Sequence, residues 1–135
     1  MVFALDTNIV VKYLRNDPKV IQNLNEAILH RDDLAIPICV DYEIKRGFRI
    51  LPAPCKEAYY NTLIDKGGRC KIIEMNAWER AVDVYANLYS KKQTVGEMDI
   101  LIAAICLENG YTIVTNNTRD FKNIDGLMLA DWTVT

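Results

Sequence analysis

Asp6, Glu43 and Asp99 are acidic residues set in strongly apolar sequence. Asp6 ends the run Val2-Phe3-Ala4-Leu5, Glu43 follows Ile36-Pro37-Ile38-Cys39-Val40, and Asp99 stands in Met98-Asp99-Ile100-Leu101-Ile102-Ala103-Ala104. A buried carboxylate costs free energy unless it is paired, hydrogen-bonded or bound to a metal. Several of them in core-like contexts point to one shared acidic pocket. A hard divalent cation, which prefers oxygen ligands, suits such a pocket. The chemistry available there is metal-assisted hydrolysis: the cation acidifies and orients a water and neutralises developing negative charge. The chain has one histidine and no Cys-His or Ser-His-Asp pattern, so it lacks a metal-free acid–base pair.

Each residue also has a plainer reading. Asp6 is a favoured helix N-cap, although Thr7 could take that role and leave Asp6 free. Glu43 could be a surface helix residue, and Glu97 the reciprocal partner of Thr94 in a capping box. Asn117 could hold an Asx turn and Asp120 could cap the turn before Phe121. Asp99 resists a plain reading, because its helix has scarcely any polar stripe. Helical spacing places Ala103 and Cys106 on its face, and both are small enough to leave room above them. Lys45, Arg46 and Arg49 form a basic cluster just beyond Glu43, either a solvated helix face or a guide for a phosphate backbone.

The elements that must position these residues follow from patterning. Short apolar strands are expected at residues 1–5, 34–36, 71–73, 111–114 and 127–129. Helical periodicity covers residues 9–15, 18–30, 41–51, 54–66, 77–90 and 97–109. Asp17-Pro18 and Asn109-Gly110 are clear start and stop signals. Asn76-Ala77-Trp78-Glu79 has the form of a capping box, ahead of an expected packing face of Trp78, Ala81, Val82, Tyr85, Leu88 and Tyr89. Strands alternating with helices imply an α/β fold with a mostly parallel sheet covered on both faces. Such folds place their sites beyond the carboxyl ends of the strands. Asp6 lies at one such end and residues 115–120 at another.

With 135 residues, 50% hydrophobic and 25% charged, the chain fits a single soluble domain spanning 1–135. No apolar stretch is long enough for a membrane span and the N-terminus does not read as a signal peptide. The four cysteines are scattered and expected to be reduced, which suits a cytoplasmic protein. A net charge of -2 argues against a nucleic-acid coat protein but not against an enzyme acting on nucleic acid.

Leu5-Asp6-Thr7-Asn8, Glu43 with Gly47, residues 98–104 and the run Val114-Thr115-Asn116-Asn117-Thr118-Arg119-Asp120-Phe121 together resemble the PIN domain. More narrowly they resemble the VapC toxins of bacterial toxin–antitoxin pairs, over essentially the whole chain. The resemblance implies a three-layer α/β/α fold and an endoribonuclease using Mg²⁺ or Mn²⁺, with tRNA a possible substrate. It places Asp6, Glu43 and Asp99 in the family's first three acidic positions. Asn117 falls at the fourth, often an aspartate, with Asp120 three residues on and Thr115 supporting. Cys39, Val40 and Asp41 stand where the family often has Ser or Thr. The resemblance also implies a small VapB-like antitoxin, for which Ile9, Val10 and Tyr13 are candidate docking residues, and a homodimer. A phosphatase using Asp6 would want a second aspartate at the position of Asn8. A non-catalytic RNA- or protein-binding domain of the same fold is the alternative.

Overall fold

The computed structural model describes residues 1–134. Strands β1 (Val2–Leu5), β2 (Asp33–Pro37), β3 (Cys70–Ile73), β4 (Thr112–Val114) and β5 (Met128–Ala130) form one sheet in the order β3-β2-β1-β4-β5. Every pairing is parallel, with Ala4 beside both Ala35 and Ile113. The order reverses at β1, which puts the carboxyl end of that strand at a switch point between the two wings of the sheet.

Helices α1 (Thr7–Leu14) and α2 (Pro18–Leu29) link β1 to β2, and α3 (Ile38–Ile50) and α4 (Pro54–Ile64) link β2 to β3. Helices α5 (Trp78–Ser90) and α6 (Glu97–Asn109) link β3 to β4, and the short α7 (Thr118–Phe121) lies between β4 and β5. α1 packs on α2, α3 and α4, whereas α5 packs on α6. The expected layered α/β/α arrangement is thus present. Ala4, Leu5, Val10, Ile36, Ile102, Ala103 and Ile113 are fully buried at its centre.

The start and stop signals act as expected at two places. Asp17 accepts from the Lys19 and Val20 amides at 3.0 and 3.2 Å, with Pro18 at the first helical position. Gly110 ends α6 in the left-handed region at φ 72°. Two expected capping boxes do not form. The cap position of α5 is Ala77 and that of α6 is Gly96, neither with a side-chain bond. Asn76 instead exchanges amide hydrogen bonds with Asn109 at 3.2 Å. The helix carrying Glu43 starts earlier than expected, at Ile38, because Pro37 ends β2 and leads directly into it.

The face expected of α5 also differs. Ala81, Val84 and Leu88 are buried, while Trp78, Val82, Tyr85 and Tyr89 are 62%, 61%, 51% and 75% exposed. This helix is apolar on two sides, and only one of them can lie against α6. Ile9, Val10 and Tyr13, the candidate docking residues, are buried in the core. α1 is packed on α2, α3 and α4, and Tyr13 stacks on Tyr59 of α4, so these residues are not available to a partner.

Candidate active site

The Asp6 amide donates to the Val114 carbonyl at 3.0 Å, so the chain stays in the sheet up to the residue that starts α1. Asp6 is then the N-cap: its Oδ1 accepts from the Thr7 amide at 2.8 Å. Thr7 is therefore not the cap, and it has another task. Its hydroxyl donates to Glu43 Oε1 at 3.0 Å, tying α1 to α3. On the other side, the buried Thr115 hydroxyl donates to Asp6 Oδ2 at 2.8 Å and accepts from the Asn117 amide at 2.9 Å. The Asn117 side-chain amide donates to Asp120 Oδ2 at 2.5 Å. A continuous series of contacts thus runs Glu43, Thr7, Asp6, Thr115, Asn117, Asp120. It crosses the carboxyl ends of the two central strands.

Asp99 completes the ring from the first turn of α6. A Cβ on Gly96 would lie 4.0 Å from Asp99 Oδ2, so this helix start leaves the carboxylate room. Among the described residues Asp99 forms no side-chain hydrogen bond or ion pair. Asp6, Thr7, Asn8, Glu43, Gly96, Met98, Asp99 and Asn117 line one cleft of about 290 Å³. Asp120 stands just behind Asn117.

Electrostatics mark the cleft as short of positive charge. Burial pushes the Asp99 carboxyl up to about 6, and the charges of Asp6, Asp120 and Glu43 push the same way. Asp6 is also raised, chiefly by burial, against the lowering effect of its bonds from Thr115 and Thr7. No lysine or arginine pairs with any of these four acids among the described residues. The donors are all hard oxygens, which fits Mg²⁺ or Mn²⁺. Among the described residues no three ligating side chains close around one point. A cation that keeps several waters and takes only one or two carboxylates directly needs no such closed cage.

The sequence-derived residues are thus largely brought together. Asp6, Glu43, Asp99 and Asn117 line the cleft, and Thr115 and Asp120 support it. After β4, Asn117 has φ -105° and the short α7 brings Asp120 back beside it. Lys45, Arg46 and Arg49 are exposed on α3, with Lys45 bonded to Asp41 at 3.1 Å. Asp41 is buried against Tyr60, whose hydroxyl donates to it at 2.8 Å, which accounts for an acid so close to Glu43 playing no part in the cleft. The bond from Thr7 to Glu43 is the contact sequence reasoning missed. The Asp6-Thr7-Asn8 motif contained the signal, since Asp6 could already cap the helix.

An acidic cleft at the switch point of a parallel sheet, with hydroxyls orienting its carboxylates, is an arrangement suited to a hydrolase. The family model for the PIN domain matches residues 3–127, and the chain belongs to that family. It is 29% identical to the ribonuclease VapC2 of Rickettsia felis, covering 98% of each chain. It is 28% identical to the tRNA(fMet)-specific endonuclease VapC of Shigella flexneri, over 96% of this chain and 97% of that protein. Among solved structures it superposes on VapBC2 from Rickettsia felis bound to a promoter DNA fragment with a TM-score of 0.82 at 29% identity, covering 98% and 99% of the two chains.

Proposed function

We propose that this chain is a metal-dependent endoribonuclease and the toxin of a toxin–antitoxin pair. The observation that carries the reading is the series of hydrogen bonds from Glu43 through Thr7, Asp6, Thr115 and Asn117 to Asp120, which holds Asp6 and Glu43 in one cleft with an unpaired Asp99. Leaving a half-buried carboxylate without a partner costs stability, which a decayed, non-catalytic site has no reason to retain. The ribonuclease names of similar proteins support the same reading.

Asp6 and Asp99 would hold Mg²⁺ or Mn²⁺, with Glu43 and Asp120 adding negative charge. When bound, the cation supplies an acidified water and charge neutralisation at phosphate. The chain's own residues do the rest. Thr115 and the Thr7 amide aim the two Asp6 oxygens, and the Thr7 hydroxyl holds Glu43 through Oε1, leaving Oε2 to accept a proton from the attacking water. The Asn117 amide steadies Asp120 at the rim.

A VapB-like antitoxin fits a different side of α1 from the one the sequence suggested. Val11, Leu14, Ile44, Gly47, Phe48 and Leu51 line a groove between α1 and α3 that opens onto Thr7 and Glu43. A partner segment with apolar side chains in this groove would place a terminal arginine against the carboxylates and compete with the cation. For the homodimer, the exposed stripe of α5 is the supporting feature. Trp78, Val82, Tyr85 and Tyr89 are spaced by four, three and four residues, a pattern symmetric about the helix centre. Two antiparallel copies would set Trp78 on Tyr89 and Val82 on Tyr85, as a twofold interface requires. With roughly 150–250 Å² for each aromatic side chain, the stripe supplies much of the ~800 Å² per partner of a standard interface. The reading is of one domain, working in the cytoplasm; among the described residues no helix is long and apolar enough to cross a membrane.

The test is cleavage of total RNA with Mg²⁺ and with EDTA. Cleavage that persists in EDTA, or its absence under any divalent cation, would overturn the assignment.

A further inference from the structure

The residues around Glu43 on α3 divide sharply by direction. Asp41 and Ile44 are buried in the fold, and Glu43 turns to Thr7 and the cleft. Tyr42, Lys45, Arg46 and Arg49 occupy the remaining side, at offsets that stack along one helical face. Tyr42 is 52% exposed, and the Arg46 guanidinium lies over its ring at 5.0 Å from the centroid. Lys45 is committed to Asp41, while Arg46 and Arg49 have no carboxylate partner among the described residues. The result is a flat aromatic ring in a cationic face, one residue from Glu43. The fold has no need of this ring: the buried residues of α3 are Cys39, Val40, Asp41 and Ile44.

Aromatic rings in cationic grooves bind unpaired nucleobases by stacking, and any base offers a suitable face. An arginine against the ring adds cation–π attraction and a phosphate contact from the same position. We propose that Tyr42, with Arg46 over its ring, is a stacking shelf for a nucleobase of single-stranded RNA beside the bond to be cut. Arg46 and Arg49 take the flanking phosphates. This shelf rests on the ribonuclease reading. It adds to it a residue that holds a base rather than a cation, and so would position the strand over Glu43.

The experiment uses the full chain. Wild-type protein first maps a cleavage site on a short single-stranded RNA. Binding of that RNA is then measured for Asp99→Asn, and for Asp99→Asn combined with Tyr42→Ala, Tyr42→Trp or Arg46→Ala. The same RNA is also made with single abasic positions near the cleavage site. We expect Tyr42→Ala to bind about five-fold or more weakly with an unchanged dependence on salt, the loss of one stacked base. Tyr42→Trp should retain affinity, and Arg46→Ala should lower the salt slope by about 0.7, one phosphate on a single strand. One abasic position should weaken the Tyr42 protein by the same factor as Tyr42→Ala and cost the alanine variant nothing more. Abasic losses that are equal in the two proteins, or Tyr42→Ala binding as its Asp99→Asn parent does, would overturn the shelf while the ribonuclease reading stands. Wild-type protein that neither cleaves nor binds RNA removes both. An unchanged melting temperature for Tyr42→Ala excludes unfolding as the cause of its loss.

Discussion

The Thr115 hydroxyl donates to Asp6 Oδ2 at 2.8 Å, joining residues 109 positions apart. Asp6 ends β1, Thr115 follows β4, and the two strands are neighbours in parallel register. The bond works to lower the Asp6 pKa against the larger raising effect of burial, and so favours the charged form of a buried carboxylate. Thr115→Val preserves shape but leaves Asp6 short of a donor and the Asn117 amide short of an acceptor. We expect a loss of about 1–3 kcal/mol in urea unfolding, the cost of unsatisfied buried groups. The Mg²⁺ needed for half-maximal cleavage should rise by roughly 10–100-fold, as for other outer partners of a metal site. Thr115→Ser should restore most of both.

Asp99→Asn keeps the side-chain shape and removes a charge. Cleavage should fall by at least about 100-fold, more than the loss of an outer partner costs. Stability should move the other way. The Asp99 carboxyl titrates near 6 in the fold and near 3.8 when unfolded. Between those values the folded state binds more protons, so the metal-free protein loses stability as pH rises from 4 to 6 and is flat above. Asp99→Asn escapes that loss. Melts in EDTA should show the variant more stable at pH 7 by about 1–2 kcal/mol, allowing for solvent screening, with no advantage below pH 4. An advantage over the parent chain that is the same at pH 7 and below pH 4 would show that Asp99 is not held at raised pKa.

Asn117 and Asp120 are joined at 2.5 Å, so their substitutions should not be independent. Asp120→Ala removes charge and is expected to raise the Mg²⁺ requirement modestly, by a few-fold. Asn117→Ala lowers the rate and also frees Asp120, so it should reproduce part of that shift. The double variant should be no worse than the sum of the singles, and by Mg²⁺ titration clearly less. Strict additivity would mean the two residues serve separate tasks.

The α5 stripe carries the prediction on assembly. Tyr85→Lys with Tyr89→Lys sets charged side chains against the apolar Val82 and Trp78 of the second copy, while leaving Ala81, Val84 and Leu88 in the core. Light scattering at micromolar concentration should give a dimer for the parent chain and a monomer for the variant. A parent chain that is already monomeric would remove the proposed interface.

How much could be read in advance depended on how local the cause was. The strands and helices were legible because period and punctuation are properties of neighbouring residues: Asp17-Pro18 starts α2 and Gly110 ends α6 wherever they sit. The acids at 6, 43 and 99 stood out because carboxylates in apolar runs are costly. The missing parts were choices between near-equal options. α5 has two apolar sides and only packing on α6 selects Ala81, Val84 and Leu88. α1 likewise is apolar at Ile9, Val10, Val11, Tyr13 and Leu14, and packing on α2, α3 and α4 buries all of these but Val11, which is only partly covered. The cap of α1 was open to Asp6 or Thr7, and Glu43, arriving from α3, settles Thr7 on the other task.

Composition and order along the chain were therefore enough for an α/β architecture and for an acidic, oxygen-only site at the end of β1. Only the folded chain decides that the site is a ring rather than a set of separate acids. Thr7 and Thr115 reach residues far away in sequence, and their effect exists only once parallel strands bring β1 and β4 together. The same holds for Asp99: its sequence shows a carboxylate among apolar residues, but its raised pKa arises from burial and from the charges of Asp6, Asp120 and Glu43, which the tertiary structure places around it. Charge interacts through space and hydrogen bonds demand contact, so neither can be read from spacing along the chain.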